Sequence, residues 1–229
     1  MNNYVYGKNS FFEALNSNRI TKAYLLNKDI EDELKKKNIP YEIVDRRTLD
    51  KMSKSANHQG YLAEVKEFKL STVDDMLKDK NGLIVVLDGL KDVHNLGAII
   101  RTCDCAGVDG LIYKSHNAVK VNDTVAKVAS GALEYVKIAE VTNLVNTLKD
   151  LKKKGYWIIG TDAAAKDLYT QIKYDMNVVL IIGSEGEGIS RLVKEECDFM
   201  IKLPMNGHVN SLNASVAAGI MIYNIISSR

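Results

Sequence analysis

The sequence has few of the features that set a protein apart from ordinary globular domains. Three cysteines do not supply a disulfide framework, so we expect a reducing, cytoplasmic location. The apolar runs are far shorter than the ~20 residues that a membrane span needs, and the polar start Met1-Asn2-Asn3-Tyr4 predicts no signal peptide. The histidines and cysteines show no metal-ligand spacing, so we expect no metal site.

The sequence also lacks a strong excess of Lys and Arg over Asp and Glu, which would indicate nucleic-acid binding. The net charge is +2. Residues 1–66 contain 12 Lys/Arg and 9 Asp/Glu, whereas residues 67–229 contain 19 and 20, so the small excess lies in the N-terminal part. One local cluster has two interpretations, a solvated surface or a contact with an RNA backbone; its members are Arg46, Arg47, Lys51, Lys54 and His58-Gln59.

The common nucleotide-binding fingerprints are absent as well. An apolar run at residues 178–182 ends in Gly183-Ser184-Glu185-Gly186-Glu187-Gly188, whose spacing matches neither the dinucleotide motif nor a P-loop. Glycines at the carboxyl end of a buried strand are typical of a ligand loop in an open α/β sheet. Because Glu185 and Glu187 lie inside it, the loop suits a neutral or cationic ligand. The alternative is a plain strand-to-helix turn.

A second polar segment precedes the apolar C-terminal helix. A single Asn or Ser at this point would be an ordinary helix N-cap. Six polar side chains exceed that need, which indicates a further partner; they are Asn206, His208, Asn210, Ser211, Asn213 and Ser215.

The chain length and the order of elements predict an α/β protein with two domains. Residues 1–66 form a small α/β unit, residues 67–81 a polar linker, and residues 82–229 a larger domain. Repeated β-α-β units in the larger domain predict a parallel sheet with helices on both faces. Within it we expect Asn95 to cap a helix at residues 96–106, a helix at residues 123–132 and a strand at residues 135–138.

Three separated segments of the larger domain resemble the motifs of the SpoU family, the RNA 2'-O-ribose methyltransferases of the SPOUT superfamily. They lie at residues 88–102, 183–188 and 203–215, in the family's order, and the first departs from the usual pattern at Val93, where relatives carry proline. Gly7, Asn9 and His58-Gln59-Gly60 resemble the RNA-binding domain that precedes the catalytic domain in the subgroup acting on large-subunit ribosomal RNA.

The resemblance implies an architecture that no periodicity shows. It implies a C-terminal SPOUT domain with a deep trefoil knot, in which the segment after Pro204 is threaded to form the cofactor pocket. Knotted folds are very rare among proteins, so without the resemblance a knot would not be expected. It also implies a homodimer with the active site near the subunit interface.

The implied reaction is methylation of a ribose 2'-hydroxyl, of a guanosine in ribosomal RNA, by S-adenosylmethionine. Without the resemblance, Arg101 would be interpreted as a solvent-facing or ion-paired arginine. It falls, however, on the family's catalytic arginine, and Asn95, Glu185, Ser211 and Asn213 would position it and the ribose. Arginine cannot act as an ordinary base, so it would pair with phosphate and stabilise the alkoxide. Cofactor contacts would come from Thr161, Gly183, Leu203 and Leu212, with no metal and no membrane.

Three alternatives stay open at this point. One is a transfer-RNA guanosine methyltransferase of the same family. Another is a non-catalytic ribosome-binding module, which the loss of Arg101 or Asn213 would have favoured, although both are present. The third is a dehydrogenase, which the missing dinucleotide fingerprint disfavours.

Overall fold

Runs of apolar residues alternate with helical segments along the chain, and each run forms a strand. The structure is a computed structural model that describes residues 3–66, 68–116, 118–209 and 211–229. Its contacts divide the chain into two units. The first unit holds the residues up to Lys69 together with Val121–Tyr135, and the second holds Leu70–Lys120 and Val136–Arg229.

The N-terminal elements build a four-stranded sheet of order β1-β4-β2-β3. Only β2 and β3 run parallel; β4 is antiparallel to both of its neighbours. Phe11, Leu15, Leu25 and Leu34 are buried in the core of this unit. In chain order the elements are β1 (Asn3–Tyr6), α1 (Lys8–Asn16), β2 (Ile20–Leu25), α2 (Glu31–Lys36), β3 (Tyr41–Ile43), α3 (Arg46–Met52) and β4 (Tyr61–Val65).

The structure divides the basic cluster of this unit into exposed and buried members. Arg46, Arg47, Lys51 and Lys54 are exposed. His58 is buried; its Nε2 lies 3.1 Å from Asp50 Oδ1, and its Nδ1 accepts a bond from the Gly60 N–H at 2.9 Å. Neither interpretation of the cluster, a solvated surface or an RNA contact, applies to His58, because it is buried and both of its ring nitrogens have partners within this unit.

The remaining elements follow in chain order. They are β5 (Leu83–Asp88), α4 (Val93–Ala106), β6 (Gly110–Lys114), α5 (Asp123–Val128), β7 (Ile138–Val141), α6 (Leu144–Lys153), β8 (Tyr156–Thr161), β9 (Asp167–Leu168), β10 (Asn177–Gly183), α7 (Arg191–Lys194), β11 (Phe199–Lys202) and α8 (Ala214–Ser227). Single-turn 3₁₀ helices cover Asp74–Met76 and Ala132–Glu134.

The second unit contains the predicted parallel sheet, of order β7-β6-β5-β10-β8-β11-β9. Every recorded strand pair in it is parallel. On one face Ile84 and Val86 pack with Leu148 and Leu151 of α6. Helices α4 and α8 pack together and against β6 and β10, on the face to which alternate residues such as Val85 point. The α/β fold class is confirmed.

Two expectations for the segment between β6 and β7 are wrong. The strand lies at Ile138–Val141, not at residues 135–138, and helix α5 ends at Val128 rather than at residue 132. The segment packs within the first unit, where Glu134 is ion-paired with Arg19 and accepts a hydrogen bond from the Ser17 hydroxyl. These long-range contacts decide its structure, and no local pattern contains them.

A membrane crossing requires a long, apolar helix. None of the helices within the described ranges is long and apolar enough to provide one.

Candidate active site

The carboxyl ends of β8, β10 and β11 enclose a cavity of about 360 Å³, which we call the first cavity. Such crevices at strand ends are where open α/β sheets hold ligands. Its apolar wall comprises Ile182, Ile201, Leu203, Met205, Leu212 and Met221. Its charged and hydroxyl side chains are Thr161, Asp162, Ser184, Glu185, Glu187, Lys194, Lys202 and Ser211.

The glycine loop after β10 closes on itself at the mouth of this cavity. The Ser184 N–H donates to the Gly188 carbonyl at 3.1 Å, and the Gly188 N–H returns a bond of 3.0 Å to the Ser184 carbonyl. A Cβ at Gly183 would lie 2.2 Å from the Gly188 carbonyl carbon. Because this contact is with backbone, only glycine fits at position 183, and the closed loop leaves Glu185 exposed at its tip.

Three side chains from three separate motifs meet in a hydrogen-bonded triangle. Asn95 Nδ2 donates to Glu185 Oε1 at 2.7 Å, and Asn213 Nδ2 donates to the same oxygen at 2.9 Å. Asn213 Nδ2 also lies 2.9 Å from Asn95 Oδ1, which accepts from it. The triangle therefore joins α4, the glycine loop and the start of α8 at one point.

Asn95 is not the cap of α4, contrary to the sequence-based expectation. The cap is Asp92, whose carboxylate accepts from the N–H groups of His94 at 2.6 Å and Asn95 at 3.2 Å. The helix therefore begins at Val93, and Asn95 lies in its first turn with 6% of its surface exposed. This placement frees the Asn95 amide for the triangle.

Asn213 serves two purposes with its two side-chain atoms. Its Oδ1 caps α8 by accepting from the N–H groups of Ser215 at 3.0 Å and Val216 at 3.4 Å, while its Nδ2 belongs to the triangle. The Ser215 hydroxyl adds a bond of 2.6 Å to Oδ1. These bonds hold the Asn213 amide in one orientation.

The residues expected to hold a cofactor all line the first cavity. They are Thr161, Gly183, Leu203 and Leu212. The Thr161 side chain is held in position because its hydroxyl donates to the Ile181 carbonyl at 3.0 Å. Leu203 is buried, whereas Leu212 is 40% exposed. Thr161 and Leu203 therefore form a fixed part of the cavity wall, and Leu212 lies where the wall meets solvent.

Asp162 and Lys194 form an ion pair in the cavity wall that was not predicted from the sequence. The hydrogen bond from Lys194, helped by the Ala164 backbone N–H, holds the pKa of Asp162 below its usual value. Asp162 follows β8 directly, so its position at a strand end is the signal that could have identified it. With that pair formed, Glu185, Glu187 and Lys202 remain as charges without an ion pair among the described lining residues.

Two predicted catalytic residues stand apart from the triangle. Ser211 lines the first cavity and is exposed. Arg101 does not line it; the side chain is exposed on α4, and among the described residues it has no recorded hydrogen bond or ion pair. Asn210, one of the six polar side chains noted before the C-terminal helix, lies outside the described residues.

Gly183→Ala is expected to destabilise the protein by about 3 kcal/mol or more, since the added Cβ overlaps backbone atoms. Gly186→Ala is the matched control, because a Cβ there meets no atom of the described residues within 4 Å; its effect should stay within about 0.5 kcal/mol. Thermal and urea unfolding measure both. Equal stability of the two variants would contradict the closed geometry of the loop.

Family models match both units of this chain. A model described as the SpoU rRNA Methylase family matches residues 82–223, and one described as RNA 2'-O ribose methyltransferase substrate binding matches residues 4–71. Together they cover most of the sequence.

One curated relative and two solved structures show the same likeness. The YacO protein of Bacillus subtilis (strain 168), whose name assigns it to the TrmH family of tRNA/rRNA methyltransferases, is 42% identical over 99% of this chain and 96% of its own. The SpoU methyltransferase AviRb from Streptomyces viridochromogenes, solved in complex with AdoMet, superposes with a TM-score of 0.85 at 21% identity, covering 98% of this chain and 89% of its own. The A. aeolicus TrmH/SpoU tRNA modifying enzyme is 34% identical with a TM-score of 0.60, covering 68% of this chain and 79% of its own.

Proposed function

This chain belongs to the SpoU rRNA methylase family of RNA methyltransferases, and from that premise we propose that it methylates a ribose 2'-hydroxyl of RNA with S-adenosylmethionine. The observation that carries the proposal is the triangle of Asn95, Glu185 and Asn213 beside the first cavity. The substrate-binding model that matches residues 4–71 supports a ribose 2'-hydroxyl as acceptor.

The first cavity fits the proposed cofactor. S-adenosylmethionine supplies an electrophilic methyl group on a sulfonium, together with an adenosine whose flat base can pack on apolar side chains and a zwitterionic amino acid. Leu203 and Leu212 offer apolar surface to the nucleoside, and Glu185 and Glu187 favour a cation. The fold is the one in which AviRb binds AdoMet.

The proposed role of each residue follows from its hydrogen bonds, its exposure and its position relative to the first cavity. The triangle fixes the Glu185 carboxylate through Oε1. The second oxygen, which has no recorded hydrogen bond among the described residues, is proposed to accept from the ribose hydroxyl and so to align the acceptor for transfer. Arg101 is proposed to pair with an RNA phosphate and stabilise the developing alkoxide, and that phosphate is proposed to take the proton that the ribose hydroxyl loses. Ser211, exposed at the cavity, is proposed to add a hydroxyl contact to the ribose.

The favoured substrate is a guanosine in large-subunit ribosomal RNA. The exposed cations of the first unit support binding to an RNA backbone, because Arg46, Arg47, Lys51 and Lys54 have no ion pair among the described residues. Transfer RNA is the second candidate, favoured by the likeness to the A. aeolicus tRNA modifying enzyme.

Mapping ribose methylation in cells with and without the gene separates the two substrates. The proposal expects one 2'-O-methyl group to disappear from ribosomal RNA and all transfer-RNA positions to stay unchanged. Loss of a transfer-RNA modification alone would establish the second candidate instead.

The exposed side of α8 supports a homodimer. Val216, Ile220 and Tyr223, at helical spacing, are 49%, 38% and 48% exposed, so α8 is apolar on the face opposite the one that packs on the sheet. Arg101 is exposed on α4, and the next residue, the half-buried Thr102, lies near Gly219 of α8. We propose that a second copy covers this face, which would place Arg101 near the interface.

Ile220→Asp is expected to weaken dimerisation by about 2 kcal/mol or more, because it inserts a charge into the centre of the apolar face. Leu192→Asp is the control, since Leu192 is also an exposed apolar residue but lies on α7. Sedimentation equilibrium measures both variants. A wild-type chain that stays monomeric at micromolar concentration would contradict the dimer.

Two further features remain proposals. The resemblance places the segment after Pro204 in a trefoil knot; β11 lies near one edge of the sheet, while α8, after it, packs on the central strand β10, which is compatible with such threading. A cytoplasmic location is supported by free cysteines at positions 103, 105 and 197.

A further inference from the structure

A second cavity also lies at the carboxyl ends of the parallel strands, on the other side of the glycine loop. It has a volume of about 610 Å³ and occupies the carboxyl ends of β5 and β6, and Glu187 lines both cavities. The strand order changes direction between β5 and β10, so the two cavities flank the topological switch point of the sheet.

The charges of the second cavity favour an anion at its β6 end. Lys91, Lys114 and His116 line it, and none of the three has a recorded ion pair among the described residues. Two carboxylates also line it. Asp88 is 7% exposed and accepts from the Ser190 N–H at 2.7 Å, and Glu187 belongs to the glycine loop.

We propose that the second cavity is a subsite for the RNA strand that carries the acceptor ribose, with Lys114 and His116 contacting a phosphate next to the methylated nucleotide. The inference rests on the proposed function. Strands β6 and β10 are separated by β5 alone, so their ends lie about 10 Å apart. A ribose beside the glycine loop and a neighbouring phosphate beside Lys114 can occupy these two places together.

The positions of the charges support an RNA strand that places its ribose at the glycine loop and the neighbouring phosphate at the end of β6. A phosphate would be repelled by Glu187 and is therefore directed to the end of β6, where Lys114 is half-buried and His116 exposed. Lys91, in the loop after β5, lies between the two ends and adds a second ammonium group. The first cavity, by contrast, carries three carboxylates against two ammonium groups and does not suit a phosphate.

The test compares Lys114→Gln/His116→Gln with wild type in equilibrium binding of an unmodified, in vitro transcribed large-subunit ribosomal RNA at several salt concentrations. The double variant is expected to bind on the order of tenfold more weakly, and its dependence of log affinity on log salt should be less steep by about one. The affinity for S-adenosylmethionine should stay at the wild-type value.

Lys173→Gln is the matched control, because Lys173 is an exposed lysine in the segment that leads into the amino end of β10, whereas the second cavity lies at the carboxyl ends of the strands. It should bind RNA as wild type does. The subsite is refuted if the double variant keeps wild-type affinity and salt dependence, or if the control loses as much. Binding is measured without turnover, so failure of the proposed function is detected separately, as wild type that binds RNA but transfers no methyl group.

Discussion

Asn213→Ser is expected to lower the single-turnover rate of methyl transfer by about 100-fold at saturating cofactor and RNA. Serine is as good a helix cap as asparagine, so α8 should still begin at Ala214. Serine cannot supply the amide that bonds both Asn95 and Glu185, and a carboxylate that is no longer held in position misaligns the acceptor.

Asn213→Ala separates catalysis from folding at the same position. Both variants lose the triangle and the Asn213 Oδ1 atom that caps α8. Serine offers its hydroxyl oxygen as a replacement cap and alanine offers none, so alanine should cost about 1 kcal/mol more in unfolding free energy. Equal loss of rate with unequal stability is the expected pattern. If the rate followed stability, with serine near wild type, the triangle would have no part in transfer.

Arg101→Ala is expected to slow methyl transfer by about 1,000-fold or more and to leave the affinity for S-adenosylmethionine unchanged. The side chain is exposed, unpaired among the described residues and absent from the lining of the first cavity. It is therefore available to RNA and not to the cofactor. Removing a charge that stabilises a developing oxyanion has effects of this size.

Arg101→Lys tests whether charge alone is sufficient. A lysine ammonium is a point charge and cannot grip phosphate and alkoxide with a planar fork, so this variant should fail almost as completely. Arg191→Ala is the control, since Arg191 is an exposed arginine ion-paired with Glu195 on the surface of α7. Near-normal transfer by Arg101→Ala would remove Arg101 from the mechanism.

The strands of the larger sheet could be predicted from residue patterns alone. The apolar runs at residues 83–87 and 178–182 correspond to β5 and β10 within one residue at each end, because a strand buried on both faces has no polar positions. The order in which these strands pair could not be predicted, since it depends on contacts between distant segments.

Helix starts were harder to predict wherever several capping residues lie close together. Asp92 and Asn95 can each cap a helix. Only the structure shows why Asp92 is used: the Asn95 amide donates to Glu185 and accepts from Asn213. The motifs predicted which residues form the site. They could not show that Asn213 combines a cap with the triangle, or that Arg101 lies apart from it.

Analysis of the methylated nucleoside tests the central claim most directly. The purified chain is incubated with methyl-labelled S-adenosylmethionine and unmodified large-subunit ribosomal RNA, and the RNA is digested to nucleosides and analysed by mass spectrometry. The account predicts label in 2'-O-methylguanosine for wild type and none for Asn213→Ser or Arg101→Ala in the same time. Label on a base, or equal label with all three proteins, would contradict it.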